Sequence, residues 1–176
     1  SQGFYLKDTD ENVLTLNGAE YVDLANLDNL QITGNLTIDG WFRTTDDGTR
    51  LISKDDGTNR CYAIWIASGN ISFGLWRSGA MKSVSSTSSL GDGNWHHFAG
   101  VNDGTDLRMY IDGSANGVSA GDGGAIDNEI VDLEIGRRQD ASQYFTGDID
   151  DVRIYSDALS ATEVLKNYNA GLSKHS

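Results

Sequence analysis

Short runs of alternating apolar and polar residues recur along this chain, and turns rich in glycine, asparagine and aspartate separate them. Alternation with a period of two is typical of strands with one buried face, and turn signals roughly every 8–12 residues are typical of a sandwich. The pattern predicts an all-β fold of the sandwich type. The predicted strands are Val13–Leu16, Tyr21–Asp23, Leu36–Thr44, Arg50–Lys54, Tyr62–Ala67, Asn70–Trp76, Lys82–Ser86, Trp95–Asn102, Asp106–Asp112, Asp132–Arg137 and Phe145–Tyr155.

The fifth and sixth runs predict a β-hairpin with a defined register. A two-residue turn at Gly69-Asn70 would set Ile66 opposite Phe73 and Ile64 opposite Leu75. All four side chains would then share one face, as a buried face requires.

One short helix is predicted near the C-terminus, where Ser160 and Glu163 have the spacing of a capping box. Val164, Leu165 and Tyr168 follow as an apolar stripe, and Gly171 is placed to end the helix. This helix is expected to pack against the sandwich rather than to bind a partner.

The charge balance narrows the range of partners. The chain has 26 acidic and 13 basic residues, a formal net charge of −13. Such a field repels nucleic-acid phosphates and anionic membrane surfaces, so nucleic acid is not an expected partner. No apolar run reaches the ~20 residues that span a bilayer, and no membrane insertion is expected. Cys61 is the single cysteine, so no internal disulfide is possible.

Six segments, in order and spacing, resemble the laminin-G-like, pentraxin-related group of the concanavalin A-like lectin/glucanase superfamily. The resemblance covers residues 12–171 and implies a jelly roll of two antiparallel sheets, with residues 1–176 as a single domain. Since this fold hosts lectins, adhesion modules, carbohydrate-binding modules and some glycosidases, it implies no single function. The segments are LNGAEYVDL (16–24), LTIDGWF (36–42), GNWHHFAGV (93–101), LRMYIDG (107–113), GDIDDVRIY (147–155) and ALSATEV (158–164).

The resemblance also implies a structural calcium ion on the rim of the sandwich. In similar proteins the aspartate before the last Val-Arg-Ile-Tyr strand supplies a ligand, which corresponds here to Asp150. Oxygens near Asn17 and Gly18 would complete the site, since Ca²⁺ takes six to eight oxygen ligands. The alternative is that Asp150 only hydrogen-bonds a loop. A second pattern, Asp8-x-Asp10-x-Asn12, resembles the opening of a calcium loop but lacks its glycine and final acid.

Catalytic groups are not evident, and the chain is not predicted to be an enzyme. Laminarinase-type hydrolases carry a Glu-x-Asp-x-x-Glu run that places two carboxylates on one strand face, and the glutamates here lack that spacing. His96 and His97 are adjacent on a strand, so they point to opposite faces and cannot share a metal ion. His175 is assigned to a mobile tail.

The first hairpin supplies candidate sugar-binding residues. If its aliphatic residues face the core, Trp65 and Trp76 share the opposite face, with Trp65 across from Gly74 and Ala63 across from Trp76. Open indole faces suit stacking on the C–H faces of sugars. The alternative is that loops cover both rings as a minor core, as expected for Trp41 and Trp95.

A second hairpin adds two further candidates. His97–Asn102 and Leu107–Asp112 flank a turn at Asp103-Gly104. Arg108 and Tyr110 face away from the apolar residues of their strand, so they could hydrogen-bond a sugar. Two Asp-Asp-Gly loops could hold a second cation, although such runs more often form turns; their acids are Asp46, Asp47, Asp55 and Asp56.

Two functions from different classes follow. The first is a non-catalytic, lectin-like carbohydrate-binding module of a larger extracellular or cell-surface protein. The alternative is a protein–protein adhesion or assembly module of a cell-surface or viral fibre protein.

Overall fold

The structure is a computed structural model, and it describes residues 3–5 and 13–175. In chain order the strands are β1 Gly3–Tyr5, β2 Leu14–Asn17, β3 Val22–Asp23, β4 Leu36–Arg43, β5 Thr49–Asp55, β6 Arg60–Ala67, β7 Asn70–Arg77, β8 Ala80–Ser85, β9 His96–Asn102, β10 Leu107–Ile111, β11 Ser114–Ser119, β12 Glu134–Ile135 and β13 Thr146–Tyr155. A 3₁₀ turn spans Asp28–Leu30, and one helix, α1, spans Ala161–Gly171. No helix in the described part of the chain is long and apolar enough to cross a bilayer. The Asp8-x-Asp10-x-Asn12 pattern lies outside the described residues.

The strands form two antiparallel sheets, as the family resemblance implies. The first sheet has the order β1-β13-β4-β9-β10-β11, with β2 also paired to β13. The second has the order β3-β12-β5-β6-β7-β8. Each sheet combines consecutive hairpins with strands distant in sequence, such as β13 beside β4 and β12 beside β5, as in a jelly roll. This confirms the expected fold class.

The core lies between the sheets and is formed mainly by the inward faces of β4, β5, β6, β7, β9, β10 and β13. Its large buried rings include Phe42, Tyr62, Phe73 and Phe98. At Gly100 on β9 a Cβ atom would lie 2.6 Å from the Cβ of Phe73 on β7. The phenyl ring therefore fills the space above a residue without a side chain, and this contact lets the two sheets approach closely.

The register of the first hairpin differs from the prediction by two residues. Ile66 lies opposite Ile71 and Ile64 opposite Phe73, because the turn residues are Ser68-Gly69 rather than Gly69-Asn70. Both turn residues have positive φ, 54° and 76°, as a type I′ hairpin turn requires. A shift of two residues keeps every side chain on its predicted face.

The helix covers the outer face of the first sheet. Ser160 and Glu163 form the predicted capping box, and Val164 packs with Ala99, Val101 and Tyr110 in a small second core. Gly171 was predicted to follow the helix and end it, but it is itself the last helical residue. A Cβ there would lie 2.9 Å from Cε2 of Trp41, so this position needs glycine for close packing rather than for positive φ.

Candidate functional site

Trp65 lies on the outer face of the second sheet, where its half-buried indole rests on the neighbouring strand. Its backbone partner is Ser72, not Gly74 as predicted. The ring reaches diagonally over Gly74, at which a Cβ would lie 2.7 Å from Cη2 and 2.8 Å from Cζ3 of the indole. The absence of a side chain at Gly74 therefore lets the Trp65 ring pack against the strand, and the ring is not as open as predicted.

A guanidinium group packs against this indole. The Cζ of Arg50 lies 5.0 Å from the centre of the Trp65 ring, within the range of a cation–π contact. Arg50 is only 8% exposed, and its Nε donates to Oε1 of Gln143 at 3.0 Å. Burial lowers the pKa of Arg50, which the neighbouring Asp55 carboxylate opposes. The indole thus contacts a glycine of β7 and a fixed cation of β5.

Trp76, by contrast, is almost covered, with 4% of its surface exposed. The Cζ of Arg60 lies 5.4 Å from the centre of its ring. The two side chains form one wall of a cleft of about 290 Å³ at the end of the second sheet. Asp127 lies on the cleft, where its carboxylate accepts from the backbone N–H groups of Ser78 and Gly79 at 2.7 Å each. Trp76 is therefore a cleft wall and does not form the second half of an open aromatic pair.

Charged residues surround Asp55 beneath this face. The carboxylate is fully buried and lies 3.5 Å from NH2 of Arg50 and 3.4 Å from Nε of Arg60. It also accepts from the backbone N–H of Gly57 at 2.6 Å. Close by, Arg138 donates to Asp140 at 2.6 Å and lowers the pKa of that carboxyl to about 2. The face is therefore rich in fixed hydrogen-bonding groups.

The Asp-Asp-Gly loops form turns, as their alternative interpretation predicts. Asp56 accepts from the backbone N–H groups of Thr58 and Asn59. Asp47 accepts from those of Ser68 and Gly69 across the end of the sandwich. Each carboxylate is thus engaged in stabilising a turn.

Arg108 and Tyr110 lie on the other side of the molecule, on the outer face of the first sheet. Arg108 forms ion pairs with Asp103 at 3.0 Å and Asp106 at 2.7 Å. Tyr110 is buried beside the helix, in contact with Val164. The outer faces of two stacked sheets point in opposite directions, so these residues cannot join Trp65 and Trp76 in one site. They line a separate shallow cleft of about 320 Å³.

The predicted calcium ligands are also separated. Asn17 pairs with Thr146, four residues before Asp150 on the same strand, which places the two about 13 Å apart. The Asn17 side chain accepts from the backbone N–H of Ala19, and Gly18 donates its backbone N–H to Phe145. Neither faces Asp150.

The residues that do approach Asp150 include one that the sequence interpretation placed in a mobile tail. Asp151 and His175 have ligand atoms within 4.8 Å of those of Asp150. His175 is only 6% exposed, so its assignment to a mobile tail is wrong. No periodic pattern surrounds His175 in the sequence, so its contact with Asp150 could not be predicted from local pattern.

Comparison with known proteins agrees with this architecture. The family model Laminin_G_3, of the concanavalin A-like lectin/glucanase superfamily, matches residues 16–165. The chain belongs to this family. The match confirms the resemblance seen in the strand motifs, and the Laminin_G_3 segment includes both hairpins and the first turn of the helix.

Individual relatives are domains or segments of larger proteins. The Danio rerio adhesion G-protein coupled receptor V1 is 36% identical over 76 residues, which is 42% of this chain but 1% of the receptor. Domain 4 of AbnA, an extracellular arabinanase from Geobacillus stearothermophilus solved with arabinotriose, is 19% identical, with a TM-score of 0.74 over 96% of this chain and 82% of that one. The Ruminococcus gnavus sialidase CBM40 bound to α2,3-sialyllactose is 15% identical, with a TM-score of 0.70. The match covers 88% of the present Laminin_G_3 domain and 95% of the CBM40 chain. At these identities the two structures show a shared fold.

Proposed function

We propose that this chain is a non-catalytic carbohydrate-binding module of a larger extracellular or cell-surface protein. The glycan binds the outer face of the second sheet at Trp65. The observation that carries the proposal is the contact of the half-buried Trp65 indole with Gly74, which leaves part of the ring exposed on the outer face of the sheet.

The chemistry of this face suits a sugar. A flat indole provides the apolar surface against which the C–H face of a pyranose or furanose ring stacks. Polar groups at the edge of an aromatic contact fix the orientation of a ligand. Arg50 and Gln143 lie on one side of the ring, and the hydroxyl groups of Ser72 and Ser85, 2.8 Å apart, lie on the other.

The comparisons support the same class of ligand. The arabinanase domain was solved with arabinotriose and the sialidase CBM40 with sialyllactose. Both share the fold of this chain and both belong to larger proteins.

The Asp148 and Asp150 carboxylates, which lie on one strand face, form ion pairs with Arg43 at 2.5 Å and with Lys174 at 2.7 Å. These ion pairs support a non-catalytic role.

A glycan array, followed by titration calorimetry of the strongest binder, tests the proposal. Trp65→Ala should weaken binding by about tenfold or more, as loss of a central aromatic contact does. Met81→Ala, at an exposed apolar position on the same sheet, is the matched control and should bind normally. Arg108→Ala probes the opposite side of the sandwich. Loss of binding in Arg108→Ala alone would move the site there.

The adhesion or assembly function is the second candidate, because the matched segment of the adhesion receptor is 36% identical. A chain that binds no glycan on the array, with or without chelator, would exclude the sugar-binding proposal. It would leave a protein surface as the partner.

A further inference from the structure

The end of the described chain is inserted into an aromatic pocket on the first sheet. The imidazole of His175 stacks on Trp41 with ring centres 4.4 Å apart and an angle of 12° between the planes. The edge of Trp95 meets it at 4.7 Å and 66°. Tyr168 of the helix stacks on Trp41 with ring centres 5.4 Å apart. The pocket therefore holds His175 through ring contacts that involve both the sheet and the helix.

The same residue contacts a buried carboxylate. Nε2 of His175 lies 2.8 Å from Oδ2 of Asp150, and Nζ of Lys174 lies 2.7 Å from the same oxygen. The other oxygen of Asp150 accepts from the backbone N–H of Asp151 at 2.8 Å. Burial raises the pKa of Asp150, but the hydrogen bonds from Lys174 and His175 leave it below the usual value. Asp150 is therefore an ionised carboxylate with its hydrogen-bonding capacity largely used.

Both ring nitrogens of His175 contact oxygen acceptors. Nδ1 lies 2.9 Å from the carbonyl oxygen of Gly171, and Nε2 lies 2.8 Å from a carboxylate oxygen of Asp150. The ring is thus bound at both of its nitrogens, and the ammonium of Lys174 adds a cation beside the same carboxylate.

A calcium ion does not fit this arrangement. Ca²⁺ takes six to eight oxygen ligands at roughly 2.3–2.6 Å. Here the carboxylate of Asp150 directly contacts nitrogen donors, Asp151 adds one further carboxylate nearby, and Asn17 and Gly18 are turned toward other partners. An ion at Asp150 would have to displace both Lys174 and His175.

We propose that the ammonium of Lys174 and the ring of His175 together take the position expected for calcium. Lys174 neutralises Asp150, His175 binds the same carboxylate oxygen, and both hold the segment after the helix on β13. The domain then keeps its stability without a bound metal ion, and that stability depends on its own C-terminal residues.

Thermal unfolding of the full chain tests this clamp. The unchanged protein should have the same Tm in chelator and in millimolar calcium. In chelator, the Lys174→Ala/His175→Ala double variant should melt roughly 5–10 °C lower, because it leaves a buried carboxylate without its partners. Lys166→Ala removes an exposed lysine from the helix and is the matched control, with an unchanged Tm. Lys174→Arg keeps the charge and should also be unchanged.

Chemical rescue separates loss of the His175 ring from general loss of packing. His175→Gly opens the pocket between Trp41 and Trp95, and added imidazole should refill it. Its Tm should rise with imidazole concentration, as for any ligand of the folded state, while that of Lys166→Ala should not. Three results would each overturn the proposal: a Tm of the unchanged protein that falls in chelator, a double variant that melts with the control, or a His175→Gly variant that imidazole does not stabilise.

Discussion

Replacing Gly74 by alanine adds one methyl group directly beneath the indole of Trp65. The new Cβ would lie 2.7 Å from Cη2 of the ring and 3.2 Å from the backbone oxygen of Lys82. Carbon atoms pack best at roughly 3.5–4.0 Å, so the outer end of the ring must rise by about 1 Å. Gly74 has no positive φ, and alanine therefore adds no backbone strain.

Two opposing effects determine the expected change in stability. Overpacking a well-fitted contact destabilises the fold by about 1–3 kcal/mol. Replacing glycine at a compatible position stabilises it by about 0.4–1 kcal/mol, because the unfolded chain has less conformational entropy to lose. The free energy of unfolding should therefore fall by about 1 kcal/mol. The larger effect is on the position of the ring, since the raised indole loses its contact with the strand at Gly74 and part of its contact with Arg50. Glycan affinity should therefore fall several-fold, although the fold itself loses little stability.

Urea unfolding and tryptophan fluorescence measure both effects. The emission of Trp65, taken as the difference from a Trp65→Phe variant, should shift to longer wavelength in Gly74→Ala. Gly34→Ala is the matched control: Gly34 is exposed, has no positive φ, and a Cβ there would meet no atom within 4 Å. If Gly74→Ala has the fluorescence and the unfolding energy of Gly34→Ala, the indole does not rest on Gly74.

Two further changes test the packing on either side of the first sheet. Gly100→Ala places a methyl group 2.6 Å from the Cβ of Phe73 inside the core, so it should lower the free energy of unfolding by about 1–3 kcal/mol in urea; an unchanged midpoint would contradict this contact. Asp39→Asn tests a buried carboxylate beneath the helix, which accepts from Asn167 at 2.5 Å and whose pKa burial raises from 3.8 to about 6. Since the folded chain holds this proton more tightly than the unfolded chain, the contribution of Asp39 is fully present below about pH 4 and is lost as the pH rises through 6, which amounts to about 3 kcal/mol. Relative to the unchanged protein, Asp39→Asn should therefore gain stability between about pH 4 and pH 7, and a difference that does not vary with pH would rule out a raised pKa.

Much of the fold could be predicted from local pattern, because alternation reports which face of a strand is buried. The capping box at Ser160 was equally clear, since both of its hydrogen bonds join residues three apart. The first hairpin marks the limit of this reasoning. Registers that differ by two residues bury the same side chains, and only the positive φ of Ser68 and Gly69 separates them.

The site was harder to predict because it depends on which sheet each hairpin joins. Alternation shows only that Arg108 and Trp65 both face away from the core, and it does not show which sheet each residue belongs to. Their hairpins lie in different sheets, so the two residues point in opposite directions. His175 was missed for a different reason: its partners Trp41 and Asp150 are distant in sequence, and no periodicity connects them.

Strand β7 carries two close contacts at consecutive positions. Phe73 fills the space above Gly100 on the opposite sheet, and Gly74 supports Trp65 on the outer surface. Consecutive residues of a strand point to opposite sides, so one peptide unit sets both the spacing of the sheets and the height of the indole. The strand therefore links the packing of the interior to the position of Trp65 on the outer surface. Core substitutions near Phe73 should displace the Trp65 ring, and should thereby alter affinity at the proposed glycan site without any change to an exposed residue.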